Sequence, residues 1–525
     1  MGGRLSFHLM VMVLFISFTI SCTKKEAEQF GGTLRLGIYH KPTEINPLTT
    51  DSSISANLLE LVFNALVHFK EDGSIEPELA EKWEISQDHL VWTFYLKRNV
   101  SFHDGTPLDA HDIKFTYDTI MKMKRSGNSH AFIYINKIEV LDPYTLQINL
   151  SKPDNLLWDS LSQIFIAPRH LLERKTDFSE YNRHPIGTGP YRFVKQDDEE
   201  VVLEANEKYF GGRPYLDQII VKVLPSQQAS LSHLIAGKTD MAFLINPEDY
   251  GALSQISAIR IYNNWYPILQ ILTLNLKNEL FSNPEIRMAL NYAVNREVFI
   301  ERILKGKGTV ASGTIFPGSG NADLDMTPYP YRPDLALQLL QKKGWQDRNG
   351  DFILDKGGKK FEFTALVYKG EELYSKILQI IEEQLRLLGI KMKIELIPFD
   401  DYVDSVFRKR NFESNLIHLV FRPSYDNDFS FWHSSQIEDG LNFSHYSNPK
   451  ADALLEEARL SLDPEKRRKA LMEFQQLLHD DPPGIFLFWR EMPIAIHKRF
   501  RGVPEKRMES LRDLVNVWVP RGEQY

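Results

Sequence analysis

Cysteine is almost missing from this chain: 525 residues contain one, Cys22. A single thiol excludes an internal disulfide framework, a Cys-rich structural zinc site and a Cys-X-X-Cys redox centre. Positive charge is not in excess, since Lys+Arg 62 against Asp+Glu 70 leave a net charge of −8. No basic patch with interleaved aromatics points to nucleic acid. Beyond the amino terminus no apolar run approaches the ~18 residues of a membrane span. There is no Gly-X-Ser-X-Gly elbow and no His-Glu-X-X-His helix, so catalysis has no positive support. Ala236-Gly237-Lys238-Thr239 looks like half a phosphate loop, but Ser232 stands where that loop needs a glycine. It reads as a helix ending at Gly237. Asp347-Arg348-Asn349-Gly350-Asp351 has the wrong oxygen spacing for an EF-hand and reads as a tight Asn-Gly hairpin turn. The 15 histidines do not cluster at metal spacing, and neither a metal nor a cofactor is expected.

What is present is globular: 43% hydrophobic, 12% aromatic and 25% charged residues, in a chain long enough for about two to four domains. The first residues carry Arg4, then a mainly apolar stretch from Leu5 to Ile20, then Ser21 and Cys22. This reads as a secretory signal over 1–21, too short for a transmembrane span. Cys22 directly after it resembles a bacterial lipobox, although Thr19 and Ile20 depart from the usual residues. That resemblance implies a lipidated Cys22, a tether over 22–32, and a protein held at a membrane only through lipid. Lys24 is not the aspartate associated with inner-membrane retention.

The body opens on the alternating strand Thr33-Leu34-Arg35-Leu36-Gly37-Ile38. From about 61 to 186 the pattern is mostly β: Trp92, Phe94 and Leu96 alternate with polar residues, as do Leu146, Ile148 and Leu150 after the Asp142-Pro143 turn. From about 284 helices and strands alternate. Leu335, Ala336, Leu339 and Leu340 form one helical face ending at Gly344. Leu373, Ile377, Ile381, Leu385 and Leu388 form another, ending at Gly389. Asn448-Pro449 and Asp463-Pro464 are cap-plus-proline helix starts, and Ile485 to Trp489 suits a buried strand.

Several segments resemble, in order, the extracytoplasmic solute-binding proteins of ABC importers, family 5, which bind peptides, nickel complexes and related solutes. Leu79-Ala80-Glu81-Lys82-Trp83-Glu84, Trp92-Thr93-Phe94-Tyr95-Leu96 and Val100-Ser101-Phe102-His103-Asp104-Gly105 are similar to the family signature. His89 stands where the family usually has glycine. Gly187-Thr188-Gly189-Pro190-Tyr191, Arg287-Met288-Ala289-Leu290 with Ala293-Val294-Asn295-Arg296, and Phe443 to Pro449 continue the likeness.

The resemblance implies an α/β, two-lobed periplasmic-binding-protein-like fold (type II-like) with an additional β-rich lobe. The first lobe would be 33–60 plus 187–272 plus 492–525, the β-rich lobe 61–186 and the second lobe 273–491. Leu272 to Leu276 and Pro493 to Ile496 would be the crossing strands. The implied function is capture of an oligopeptide or related solute between the lobes by a monomer in the cell envelope, facing the periplasm or the surface, and delivery to an ABC permease. The ligand stretch would run from Phe421 to Phe429. Ser424 stands where peptide-binding members carry an aspartate for the peptide ammonium, with Asp426 two residues on. Tyr425 and Arg422 are candidate contacts, Phe421 takes the place of a common tryptophan, and Tyr262 and Trp265 are candidate stacking aromatics. Two other readings stay open: a secreted hydrolase using two carboxylates, such as a glycosidase, and a surface peptide receptor of the same fold without transport.

Overall fold

The computed structural model describes residues 29–524 apart from 51–52, 71–73, 124–131, 244, 246, 265–267, 317–325, 371, 421–425, 439, 491–492, 505–506 and 509. The signal segment and Cys22 lie outside the described residues. Two open sheets carry the architecture.

The first is eight-stranded. Thr33–Ile38 pairs in parallel with Gln218–Val223 and Met241–Ala242, and the alternating Leu34 and Leu36 are buried. The chain returns to this sheet late, as Ile494–His497 between Met241–Ala242 and Ile259–Asn264. A buried carboxylate fastens the return: Asp240 accepts from Arg35 Nε at 2.8 Å and from Arg499 Nη2 at 2.7 Å.

The β-rich segment forms a four-stranded antiparallel sheet in the order Ala80–Ile85, Val91–Leu96, Thr145–Leu150, Ile135–Asp142. Its register sets Trp92 opposite Ile148 and Phe94 opposite Leu146, so the two alternating patterns share one buried face. That face is continuous with the core of the first sheet. The segment expected as an additional β-rich lobe shares one apolar core with the first lobe. His89 takes φ +57°, a left-handed turn position that glycine occupies without strain.

Two sequence motifs meet here. His103 and the Gly187-Thr188-Gly189 run bind each other: His103 N donates to Gly187 O at 2.8 Å, Gly187 N to His103 Nδ1 at 3.3 Å, and His103 Nε2 donates to Gly189 O at 3.0 Å. This pattern fits the neutral Nε2–H tautomer, and burial pushes the His103 pKa down to about 4. Both glycines are required by close approach, because a Cβ on Gly187 would lie 2.0 Å from Val62 O and one on Gly189 2.4 Å from Val62 C.

The second sheet has six strands in the order Gly308–Val310, Gly484–Arg490, Ile268–Leu274, Ser414–Val420, Glu362–Tyr368, Lys391–Ile397. The strand Gly484–Arg490 is buried at every position, as its apolar run implies. Helices Pro284–Ala293, Pro449–Leu460 and Pro464–Asp480 are capped by Asn283, Asn448 and Asp463. Helices Pro333–Lys342 and Glu372–Arg386 are followed by Gly344 and Gly389 at φ +88° and +78°. The motif arginines are internal ties. Arg287 pairs with Asp481 and donates to Pro482 O, while Arg296 donates to Phe486 O and Asn291.

Two expectations need correction. Ile259–Asn264 pairs in the first sheet and Ile268–Leu274 wholly within the second, so Leu272 to Leu274 do not cross between the sheets. The Asn349-Gly350 segment is not a two-residue hairpin. It is a wider loop closed by the Gln346–Asp355 bridge, in which the Asp347 carboxylate accepts from the backbone of Gly350 and Phe352. The wider loop satisfies its own amides through side-chain carboxylates, which a two-residue turn does not need.

Candidate ligand cleft between the lobes

Open α/β sheets bind ligands outside the carboxyl ends of their strands. In the first lobe Thr33–Ile38, Gln218–Val223 and Met241–Ala242 share a direction. In the second, Glu362–Tyr368, Lys391–Ile397 and Ser414–Val420 do so. Gly484–Arg490 runs with them, since both it and Ser414–Val420 are antiparallel to Ile268–Leu274. Tyr368, Ile397, Val420 and Arg490 thus end at one edge.

The two carboxyl edges meet. His40, just past the first strand, stacks on Phe399 with ring centroids 5.2 Å apart and meets the edge of Tyr368 at 6.1 Å. Burial lowers the His40 pKa, so its ring is a neutral stacking partner at pH 7. Elsewhere along the junction, Lys307 Nζ of the second lobe sits 4.9 Å from the ring centre of Tyr250 in the first. On the β-rich side Asp154 pairs with Arg459.

Inside the second lobe's edge lies a polar row. His418 hydrogen-bonds the Tyr374 hydroxyl through Nδ1, and burial, with Arg490 and His40 nearby, pushes its pKa down to about 3. Gln270, opposite His418 on the next strand, donates through Nε2 to Ile417 O at 3.0 Å and leaves its Oε1 without a donor. Helix Asp426–Trp432 carries Asp428. Its Oδ2 accepts from Gln475 Nε2 at 3.2 Å, and Gln475 also holds Thr314. Burial raises the Asp428 pKa to about 7.

Of the residues singled out in the sequence, Phe421, Arg422, Ser424, Tyr425 and Trp265 lie outside the described residues, as does Cys22. Asp426 is the first residue of helix Asp426–Trp432. Tyr262 is packed in the first lobe's core, with its hydroxyl accepting from Arg260 Nη1 at 2.8 Å. His40, Tyr368, Phe399, His418 and Arg490 were missed. Only Arg490 left a local signal, a charge ending an unbroken apolar strand. Among the described residues no group of three or more His, Cys, Asp or Glu side chains gathers as a metal site.

Two α/β sheets whose carboxyl edges face each other across a closed junction define a two-lobed solute receptor. The chain belongs to the bacterial extracellular solute-binding proteins, family 5, whose description matches residues 74–439. It is 30% identical to the oligopeptide-binding protein AppA of Bacillus subtilis, over 97% of this chain and 96% of that one. It is 28% identical to heme-binding protein A of Haemophilus influenzae, over 81% of each chain. The structure of AppA in complex with a nonapeptide superposes with a TM-score of 0.88 at 29% identity, covering 94% of this chain and 99% of that one. NikZ from Campylobacter jejuni in complex with Ni(L-His) gives 0.84 at 28% identity, covering 93% and 99%. These relatives are binding proteins.

Proposed function

We propose that this protein captures a peptide-class solute between its two lobes and presents the closed form to an ABC-type permease, tethered to the cell envelope through lipid on Cys22. The observation that carries the reading is the junction of the two carboxyl edges, with His40 of one lobe stacked on Phe399 of the other, in a chain alike end to end to an oligopeptide-binding protein. Closure around a solute stabilises the form that a permease recognises. Supporting the tether are the signal-like stretch and the single cysteine directly after it. Among the described residues no helix is long and apolar enough to cross a membrane.

The test is a thermal-shift panel of random tetra- to nonapeptide pools on protein stripped of co-purified solute. Binding at 100 times Kd stabilises by about 2.7 kcal/mol, a readily measured rise in melting temperature. No rise with any pool, and no solute in native mass spectra of freshly purified protein, would sink the reading. For the tether, Cys22→Ala should move the protein from the membrane to the soluble fraction.

A further inference from the structure

Five arginines are buried among the described residues: Arg287, Arg296, Arg459, Arg490 and Arg499. Four are tied down. Arg287 holds Asp481, Arg459 holds Asp154, Arg499 holds Asp240, and Arg296 is surrounded by backbone carbonyls and Asn291. Arg490 differs. It is 7% exposed, its Nε has no hydrogen-bond partner, and no described side chain forms an ion pair with it.

A guanidinium cannot shed its proton to escape burial, so a buried one without a counter-charge is costly. Chains keep such a group where a partner arrives from outside. Its position says where from. Arg490 ends the strand Gly484–Arg490 at the carboxyl edge of the second sheet, beside Ile268 on one side and Gly308 on the other. His418, within electrostatic reach of both Arg490 and the first lobe's His40, places this corner at the junction of the lobes. His418, a side chain that is neutral or cationic and never anionic, is hydrogen-bonded to Tyr374 and supplies no counter-charge. Gln270, two register positions away on the next strand, adds an acceptor without a donor among the described residues.

We propose that Arg490 is a specificity-determining residue of the cleft that pairs with a carboxylate of the captured solute. The planar fork of the guanidinium matches a carboxylate bidentately. An amide N–H beside that carboxylate would suit the free Oε1 of Gln270. The solute class is therefore an amide-linked carboxylic acid, such as a peptide with a free carboxyl end. This rests on the peptide-class reading above.

The test uses the mature chain with Cys22→Ser, stripped of solute, and two random tetrapeptide pools of equal composition, one with free carboxyl ends and one amidated. The wild type should bind the acid pool on the order of 30-fold or more tighter than the amide pool, the effect of truncating one partner of a buried charge pair. Arg490→Gln should erase that preference and Arg490→Lys should retain part of it. Equal binding of the two pools by the wild type, or an undiminished preference in Arg490→Gln, overturns the proposal. A second measurement needs no peptide: Arg490→Met should melt at or above the wild-type temperature, because it removes an uncompensated buried charge. A fall of several degrees would make Arg490 a structural tie and overturn the proposal. If neither pool binds, the peptide-class reading fails, and the Arg490→Met melt still decides the role of Arg490.

Discussion

Asp154 and Arg459 form a bidentate ion pair, Nε to Oδ1 at 2.9 Å and Nη2 to Oδ2 at 2.7 Å, between side chains 2% and 0% exposed and 305 residues apart. Asp154 follows the last strand of the β-rich segment, and Arg459 belongs to a helix of the second lobe. The next residues continue the contact: Asn155 donates to Arg459 O, and Leu156 is part of the second lobe's core. The pair is thus a further clasp across the molecule, besides the His40–Phe399 stack and the Lys307–Tyr250 contact.

Breaking that clasp from one side leaves a buried charge alone. Asp154→Asn should cost about 3–5 kcal/mol in urea unfolding. The double variant Asp154→Leu with Arg459→Met removes both charges and should recover much of the loss. A double variant no better than the single would show that packing, not charge, holds the contact.

The glycines at 187 and 189 are constrained by space. Gly189→Ala brings a Cβ against the backbone of Val62 and Leu61 at 2.4 and 2.6 Å, atoms that cannot move aside as a flexible side chain would. Overpacking typically costs about 1–3 kcal/mol and more against backbone. Low soluble yield and a depressed melting temperature are expected. A wild-type melting curve would contradict the close approach.

Asp428 ties stability to pH. Its folded pKa, raised by burial to about 7, lies above the ordinary aspartate value of 3.8, so between the two the folded state holds a proton that the unfolded state has released. Between these values folding stability falls as pH rises, and the penalty is complete above about 7. Asp428→Asn cannot ionise, so its melting temperature relative to wild type should climb from pH 4 to pH 8. A constant difference across that range would refute the assignment.

The closure stack is worth less. An aromatic pair contributes about 0.5–1.5 kcal/mol beyond burial, so His40→Ala should weaken solute binding by roughly 2- to 12-fold. Its unfolding midpoint without solute should change little. Small-angle scattering should show a more open average shape for the variant. Unchanged affinity would remove His40 from closure.

Much of the fold was legible locally. Helix ends at Asn448-Pro449 and Asp463-Pro464 follow from caps that satisfy orphan amides. The strand Thr33–Ile38 follows from alternation. The resemblance to family 5 rested on motif residues such as His103, Gly189, Arg287 and Arg296. The structure shows these to be the ties that hold the lobes together inside. They mark the family because they build its frame. Of the ligand stretch they located by analogy, residues 421–425, with Ser424 and Tyr425, lie outside the described residues.

The sequence alone determined where many helices and strands lie, that one cysteine forms no internal disulfide, and which family the chain resembles. Those properties are read from neighbours a few residues apart, or from ordered motifs. Tertiary structure decided that the β-rich segment shares the first lobe's core, that Asp154 meets Arg459, that His40 stacks on Phe399, and that, among the described residues, Arg490 alone of the five buried arginines lacks a partner. Each of these depends on strands and helices hundreds of residues apart arriving at one edge. No local pattern of hydrophobicity or capping encodes which charges will then face each other.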